Sequence, residues 1–331
     1  MKKTTILLLI FSYSLVSTAQ SFPGFRTGNY TGVYSSFFNP AGIAQNNFKW
    51  DVSLIGVNAE FGNNNKTFGY KNLKDILNGN TDIGQLGNTY DLVSAFAGAD
   101  VTGPSFMISK KDWGLAFTTR SRVMVNMTDL DGNLLNSINN GSFHGTPYNL
   151  NSKANQKITA NAWSDFGLSY AKVLHQDDKS VFKMGITAKY LAGSANTWLQ
   201  VKDLRGTVAR DALSNYYLTD ASGTVSTGYS GFDINNFNSN DLLKMKGSGF
   251  GGDIGFIYET KTGGKGSKKD STAPYHLRLG VSLTDIGFIK YNATDYAGYN
   301  MAITSSEQWY PSDLDGKSIN EIRQYLDGSP Y

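Results

Sequence analysis

The chain contains no cysteine, so no disulfide can hold its fold. Proline is scarce, with 7 residues, and there are only three histidines, His144, His175 and His276. These lie too far apart to give a His-x-x-x-His or comparable metal spacing. Past the N-terminus no apolar run approaches the roughly 20 residues that a membrane helix needs, and the mean hydropathy of −0.32 is too polar for a helical bundle. Neither sign of charge dominates: the net charge is +3 and the basic residues are scattered, so no nucleic-acid partner is expected. There is no Gly-x-Ser-x-Gly elbow and no Walker pattern. Gly247-Ser-Gly-Phe-Gly-Gly252 resembles a dinucleotide loop only superficially, because it precedes an alternating strand and opens no helix. The sequence therefore predicts no enzyme, no cofactor, no metal and no catalytic residue.

What is abundant is glycine and aromatics: 36 Gly, 19 Tyr and 19 Phe. This suits either a soluble β-sandwich or a transmembrane barrel. The N-terminus points to export. Lys2 and Lys3 precede an apolar run from Ile6 to Val16, and Ser17-Thr18-Ala19 offers a cleavage site. Residues 1–19 read as a signal peptide, with Gln20 as the mature N-terminus, and the lack of a nearby cysteine argues against a lipoprotein. A buried first helix is the plainer alternative.

Periodicity separates the two β classes. From Trp113 to Met127, the odd positions (Trp113, Leu115, Phe117, Val123, Val125) are largely apolar. The even ones (Gly114, Ala116, Thr118, Arg120, Arg122) are small or charged. Phe182, Met184, Ile186 and Tyr190 oppose Lys183, Gly185, Thr187 and Lys189 in the same way. Leu277, Leu279, Val281 and Leu283 oppose His276, Arg278, Gly280 and Ser282. Such long alternation exceeds the usual soluble strand of about 5–6 residues and fits a tilted membrane strand. A charge facing lipid near mid-membrane would cost about 2–4 kcal/mol, so Arg120, Arg122, Lys183, Lys189 and Arg278 are predicted to face the lumen. Their role is either a cationic interior or ion pairing with Asp165 and Asp253.

A short pattern recurs: Asp112-Trp-Gly114, Asp165-Phe-Gly167, Asp253-Ile-Gly255 and Asp285-Ile-Gly287. Glycine on the inward face keeps the interior uncrowded, and Trp113, Tyr170 and Tyr258 are candidates for an aromatic girdle. Seven strands are predicted, at 50–61, 98–109, 113–127, 158–174, 181–201, 248–259 and 276–291. Loops 62–97, 128–157 and 202–247 are long and expected outside, whereas 110–112 and 175–180 are short and expected in the periplasm. Asp129-Leu-Asp-Gly132 recurs at Asp313-Leu-Asp-Gly316 and partly at Asp203-Leu-Arg-Gly206. It lacks the further ligands of a calcium loop and reads as a turn before a short surface helix.

The fold class expected is all-β: a transmembrane antiparallel up-and-down β-barrel with short helices in long external loops. Seven strands is an odd number, and residues 292–331 read as the start of an external loop. The barrel is therefore expected to be incomplete, with C-terminal strands missing, as an open sheet with its first strand unpaired on one side.

Gly24-Phe-Arg-Thr-Gly-Asn-Tyr-Thr-Gly-Val33, Phe37-Phe-Asn-Pro-Ala41, Trp50-Asp-Val-Ser-Leu54 and Asp285-Ile-Gly-Phe-Ile-Lys-Tyr291 carry a resemblance. They resemble a Bacteroidota outer-membrane β-barrel family of undefined function, similar to FadL/PorV-like and PorP/SprF-like barrels. The resemblance implies location in the cell outer membrane, and it implies Asn39, Pro40 and Ala41 as a plug motif within a periplasmic or lumen-plugging segment, 20–49, ahead of the partial barrel, 50–331. The partners implied are outer-membrane lipid and lipopolysaccharide, the barrel-assembly machinery and envelope proteins. Two functions follow: a structural or docking component of the envelope or secretion machinery, or a FadL-like channel for hydrophobic or other small solutes. A soluble secreted β-protein is the third reading.

Overall fold

A computed structural model describes residues 28, 30–64, 92–131, 147–152, 154–230, 245–261, 275–292, 295–314, 317 and 319–329. Its strands are β1 (Trp50–Ser53), β2 (Gly56–Asn63), β3 (Leu92–Thr102), β4 (Ser105–Ser109), β5 (Trp113–Asp131) and β6 (Tyr148–Asn151). They continue with β7 (Asn155–Gln176), β8 (Ser180–Arg210), β9 (Tyr216–Ser230), β10 (Gly247–Lys261), β11 (Tyr275–Tyr291) and β12 (Asp295–Ile303). Two short helices flank them, α1 (Ser35–Phe38) and α2 (Ile319–Gly328).

All twelve strands join one antiparallel sheet, which reduces to seven strand lines. β1 and β2 form the first line, and β3 with β4 the second. β5 follows as a single long strand, then β6 with β7, then β8 as another single long strand. β9 and β10 together cover β8, since Ser230 pairs with Asn196 and Gly247 with Gly193. β12 continues β11, since Tyr291 pairs with Gly247 and Asp295 with Tyr229. The seven predicted strands are these lines. The sheet is not closed: the outer edges of β1–β2 and β11–β12 have no strand partner among the described residues.

Four predicted loops contain strand instead, the first of them 62–97, where β3 already begins at Leu92. β8 runs to Arg210 and returns as β9, so 202–247 holds a hairpin. Residues 295–303 form β12, and β6 lies within 128–157. The Asp-Leu repeat resolves in two ways: the Asp313 copy lies in a 3-10 turn, Pro311–Leu314, ahead of α2 as expected, whereas the other two copies lie within strands. Asp129 and Asp203 sit in β5 and β8 with φ of 53° and 51°, beside breaks in strand register. Asp220 and Asp285 do the same, with φ of 47° and 59°. Aspartate tolerates the left-handed region better than most side chains, and one class of bulge places a residue there. Among the described residues no group of three acids or histidines could hold a metal. Residues 132–146, where the first predicted loop helix falls, and the signal peptide lie outside the described residues.

Sheet faces follow the two-residue period. The convex face carries exposed apolar side chains on every line, among them Val57, Val101, Leu115, Leu168 (58% exposed), Ile186, Phe250 (67%) and Val281 (72%). Cross-strand pairing aligns Phe166, Tyr190, Phe250 and Phe288 in one aromatic row. Nearer the tight turns lie exposed Trp113, Tyr170 and Tyr258. Phe182, paired to Tyr258, is eight residues from Tyr190, about 26 Å along the strand.

The β7–β8 turn shows how one carboxylate fixes a tight connection. Asp177 Oδ1 accepts the backbone N–H of Lys179 (2.7 Å) and Ser180 (2.6 Å), while His175 Nε2 lies 3.1 Å from Oδ2. These bonds, that of Lys179 foremost, hold the carboxyl below its ordinary range. A depressed folded pKa contributes stability above the unfolded value of about 3.9 and loses it as pH falls further. Asp177→Ala should lower the urea midpoint at pH 7, and the gap from the parent should shrink steadily below about pH 4. A gap constant from pH 7 to pH 2 would refute this.

Candidate functional site

The concave face is where the chemistry gathers. Strand parity turns Arg120 and Arg122 of β5, Lys183 and Lys189 of β8, and Arg278 of β11 to this side, and each has an acidic partner. Arg120 Nε lies 3.2 Å from Asp165 Oδ2, and Arg122 Nη1 lies 2.9 Å from Asp285 Oδ2. Lys189 Nζ lies 2.7 Å from both Asp253 Oδ1 and Asp285 Oδ1. Asp165 is 1% exposed and Lys189 5%. A second group joins Lys183 and Arg278 to Glu259, at 3.1 and 3.3 Å. The upper cluster holds three cations and three carboxylates and is formally neutral, so it offers no surplus positive charge to an anion.

This network also measures the curl of the sheet. β5 and β11 are separated by β7, β8 and β10, four strand steps, or about 19 Å if the sheet were flat. The 2.9 Å bond from Arg122 to Asp285 requires the sheet to fold toward itself across that span. The bulge at Asp285 makes the reach possible. Opposite Asp253 it inserts an extra residue, and Asp253 Oδ1 accepts the freed N–H of Asp285 at 2.7 Å. Asp285 belongs to the recurrent Asp-apolar-Gly pattern, which carries no sign of this pairing. The same pattern places Asp165 and Asp253 in the cluster, whereas Asp112 lies in the β4–β5 turn.

Residues 30–49 pack against this concave face. Asn39 is the N-cap of a 3-10 turn, Pro40–Ile43: its Oδ1 accepts the N–H of Ala41 (3.0 Å) and Pro40 fits the first turn position. Its Nδ2 donates to the backbone carbonyls of Phe256 (3.1 Å) and Val281 (3.3 Å). Pro40, Ala41 and Ile43 are buried, Ala41 and Ile43 completely. The strands beneath carry glycine where the segment lies. A Cβ on Gly114 would strike the carbonyl of Ile43, on Gly185 the backbone at Pro40 and Ala41, and on Gly255 the side chain of Asn39. Inward glycine therefore does not leave the interior uncrowded, as the sequence pattern suggests; it makes room for the chain's own backbone. Val33, Ile43 and Ala44 complete a small core with Met107, Ala116 and Ala171.

Beside the segment a cavity of about 680 Å³ remains, bordered by Phe37, Asn58, Glu60, Asp100, Arg122 and Arg278. Arg120 stacks over the Phe37 ring, 4.9 Å from its centroid. Among the described residues no helix is long and apolar enough to cross a membrane.

No curated protein and no solved structure matches the chain. The model of a family described only as being of unknown function, DUF5723, matches residues 40–328, most of the sequence, and the chain belongs to that family.

Proposed function

We propose that this chain is an outer-membrane β-barrel component that serves as a structural or docking element of the cell envelope or its secretion machinery. The observation that carries the membrane reading is the convex face. Exposed large apolar side chains continue across all seven lines, far beyond the few hundred Å² of apolar patch usual on a soluble monomer. The concave face holds the charges, which is the polarity a lipid-embedded wall requires and the reverse of a soluble β-protein. The aromatic rows stand about 26 Å apart along the strand, which at the usual barrel tilt of about 35–45° projects to about 20 Å, somewhat under the apolar band of about 25 Å typical of such barrels. Docking is favoured over passage because residues 30–49 and two groups of ion pairs occupy the interior.

Export by the signal peptide, removal of residues 1–19 and insertion with the tight turns in the periplasm complete this reading. Leu213, 82% exposed at the β8–β9 tip, would then face the medium and Lys111 the periplasm. With no native cysteine, single-cysteine variants report topology directly. An impermeant thiol reagent should label Leu213→Cys on intact cells and Lys111→Cys only after permeabilisation. Equal labelling of both on intact cells would defeat the proposal, as would a soluble periplasmic protein after carbonate washing.

The second reading, a FadL-like channel for hydrophobic or other small solutes, is favoured by the cavity beside Phe37 and Arg122. Planar-bilayer conductance and solute uptake separate the two. The docking reading expects no conductance above background from the intact chain, and steady single-channel openings would turn the assignment to transport.

A further inference from the structure

We infer that residues 31–44 act as an internal folding template, seating early on the glycine floor and setting the curl of the sheet before its outer strands pair. The segment touches every strand line, including both open edges. At the first edge the N–H of Val33 donates to Asp51 Oδ2 (2.7 Å), and Gly32 holds φ at +53° where any Cβ would collide with that carboxylate. Tyr34 OH then meets Thr102 Oγ1 of β3 at 3.1 Å. In the middle the segment lies on the backbones of β5, β8 and β10 at Gly114, Gly185 and Gly255. At the far edge Asn39 reaches the carbonyl of Val281, and Ser282 Oγ donates to the carbonyl of Phe38 at 2.6 Å.

Two physical points make this a template and not merely filling. A twisted sheet has no intrinsic reason to adopt one curvature, and among the described residues no strand holds β11 on its outer side. The bonds from Asn39 and Phe38 supply the inward pull that this edge otherwise lacks. In addition, Asn39 and Val281 are 242 residues apart, so their contact carries a large closure cost if made in a single step. A segment that receives each strand in turn, from β1 to β11, divides that closure into short steps. The order of the chain supports the sequence of events, because the template precedes every strand that it seats.

The test is folding kinetics of the whole chain, diluted from urea into phosphatidylcholine vesicles and followed by tryptophan fluorescence. Asn39→Ala and Ile43→Ala should slow folding about tenfold while leaving unfolding within twofold, because template contacts already exist in the transition state. Leu218→Ala, in the separate cluster of Val208, Leu218, Ala221 and Ile303, should instead speed unfolding and leave folding unchanged. If a segment variant does not fold, the milder Ile43→Val supplies the measurement. A stability loss in which the greater part falls on the unfolding rate of the segment variants overturns the template. The inference rests on the membrane reading only for its medium: a chain that folds in buffer without vesicles refutes that reading, and the same rates measured in buffer still decide this one.

Discussion

Lys189→Met should destabilise the folded protein by about 3–5 kcal/mol, the cost of leaving buried charge uncompensated. The ammonium lies 2.7 Å from two carboxylates, and almost none of the side chain is exposed. Methionine preserves the length and apolar volume of the stem, so the loss reports the charge and not a cavity. Asp285 would keep Arg120 and Arg122, at 3.5 and 2.9 Å, whereas Asp253 would keep only the N–H of Asp285. Asp253 is therefore the group left most exposed to the change. This asymmetry gives a second expectation: Lys189→Met combined with Asp253→Asn should recover at least half of the loss, because the orphaned charge is gone. Urea midpoints of the four proteins close a double-mutant cycle, and a coupling above about 2 kcal/mol is expected for neighbours in one network. A single-variant loss below about 1 kcal/mol would show that the cluster is solvated and does not hold the curl.

The parity of the wall was legible in the sequence because β5 and β8 keep a two-residue alternation through the apolar zone and β11 keeps it up to the bulge at Asp285. Trp113, Leu115 and Phe117 against Ala116, Thr118 and Arg120 could be read only one way once a face had to be apolar. The pattern was lost where that demand ends. Beyond Tyr190, β8 continues for twenty residues, and β9 pairs with it through Thr219, Ser222, Thr224 and Ser226. There both faces can be polar, so Ser, Thr and Gly read as loop. A bulge at Asp220 also inverts parity within β9, which places both Leu218 and Ala221 in the same buried cluster and hides the alternation. The acidic side of the site was half visible. Asp165 and Asp253 could be named as partners, but Asp285 lies four strand steps from Arg122, and only the curl of the sheet brings them together. The glycine floor carried a signal, the recurrent Asp-apolar-Gly, whose meaning depended on which backbone would lie above it. No spacing within the strands encodes that.

Leu168→Arg offers the sharpest separation between a wall in lipid and a sheet in water. Leu168 is 58% exposed on the convex face of β7, paired with Phe117 on one side and Ala188 on the other. It sits one step along this face from the aromatic row that contains Phe166 and Tyr190, and one from Tyr170 on the other side. A half-exposed leucine in water tolerates replacement within about 0.5 kcal/mol, since no cavity forms and a charged head is freely hydrated. In hydrocarbon the same arginine must thin the bilayer or draw in water, at about 2–4 kcal/mol near the midplane. Lys172→Arg, two strand turns nearer the tight-turn end on the same face, is the matched control, because a cation already stands there. The expected result is a Leu168→Arg chain that inserts into phosphatidylcholine vesicles at least tenfold less efficiently and unfolds at lower urea, with Lys172→Arg unchanged. Insertion and urea midpoint both equal to the parent would mean that water or protein covers Leu168, and the membrane reading would fall with it.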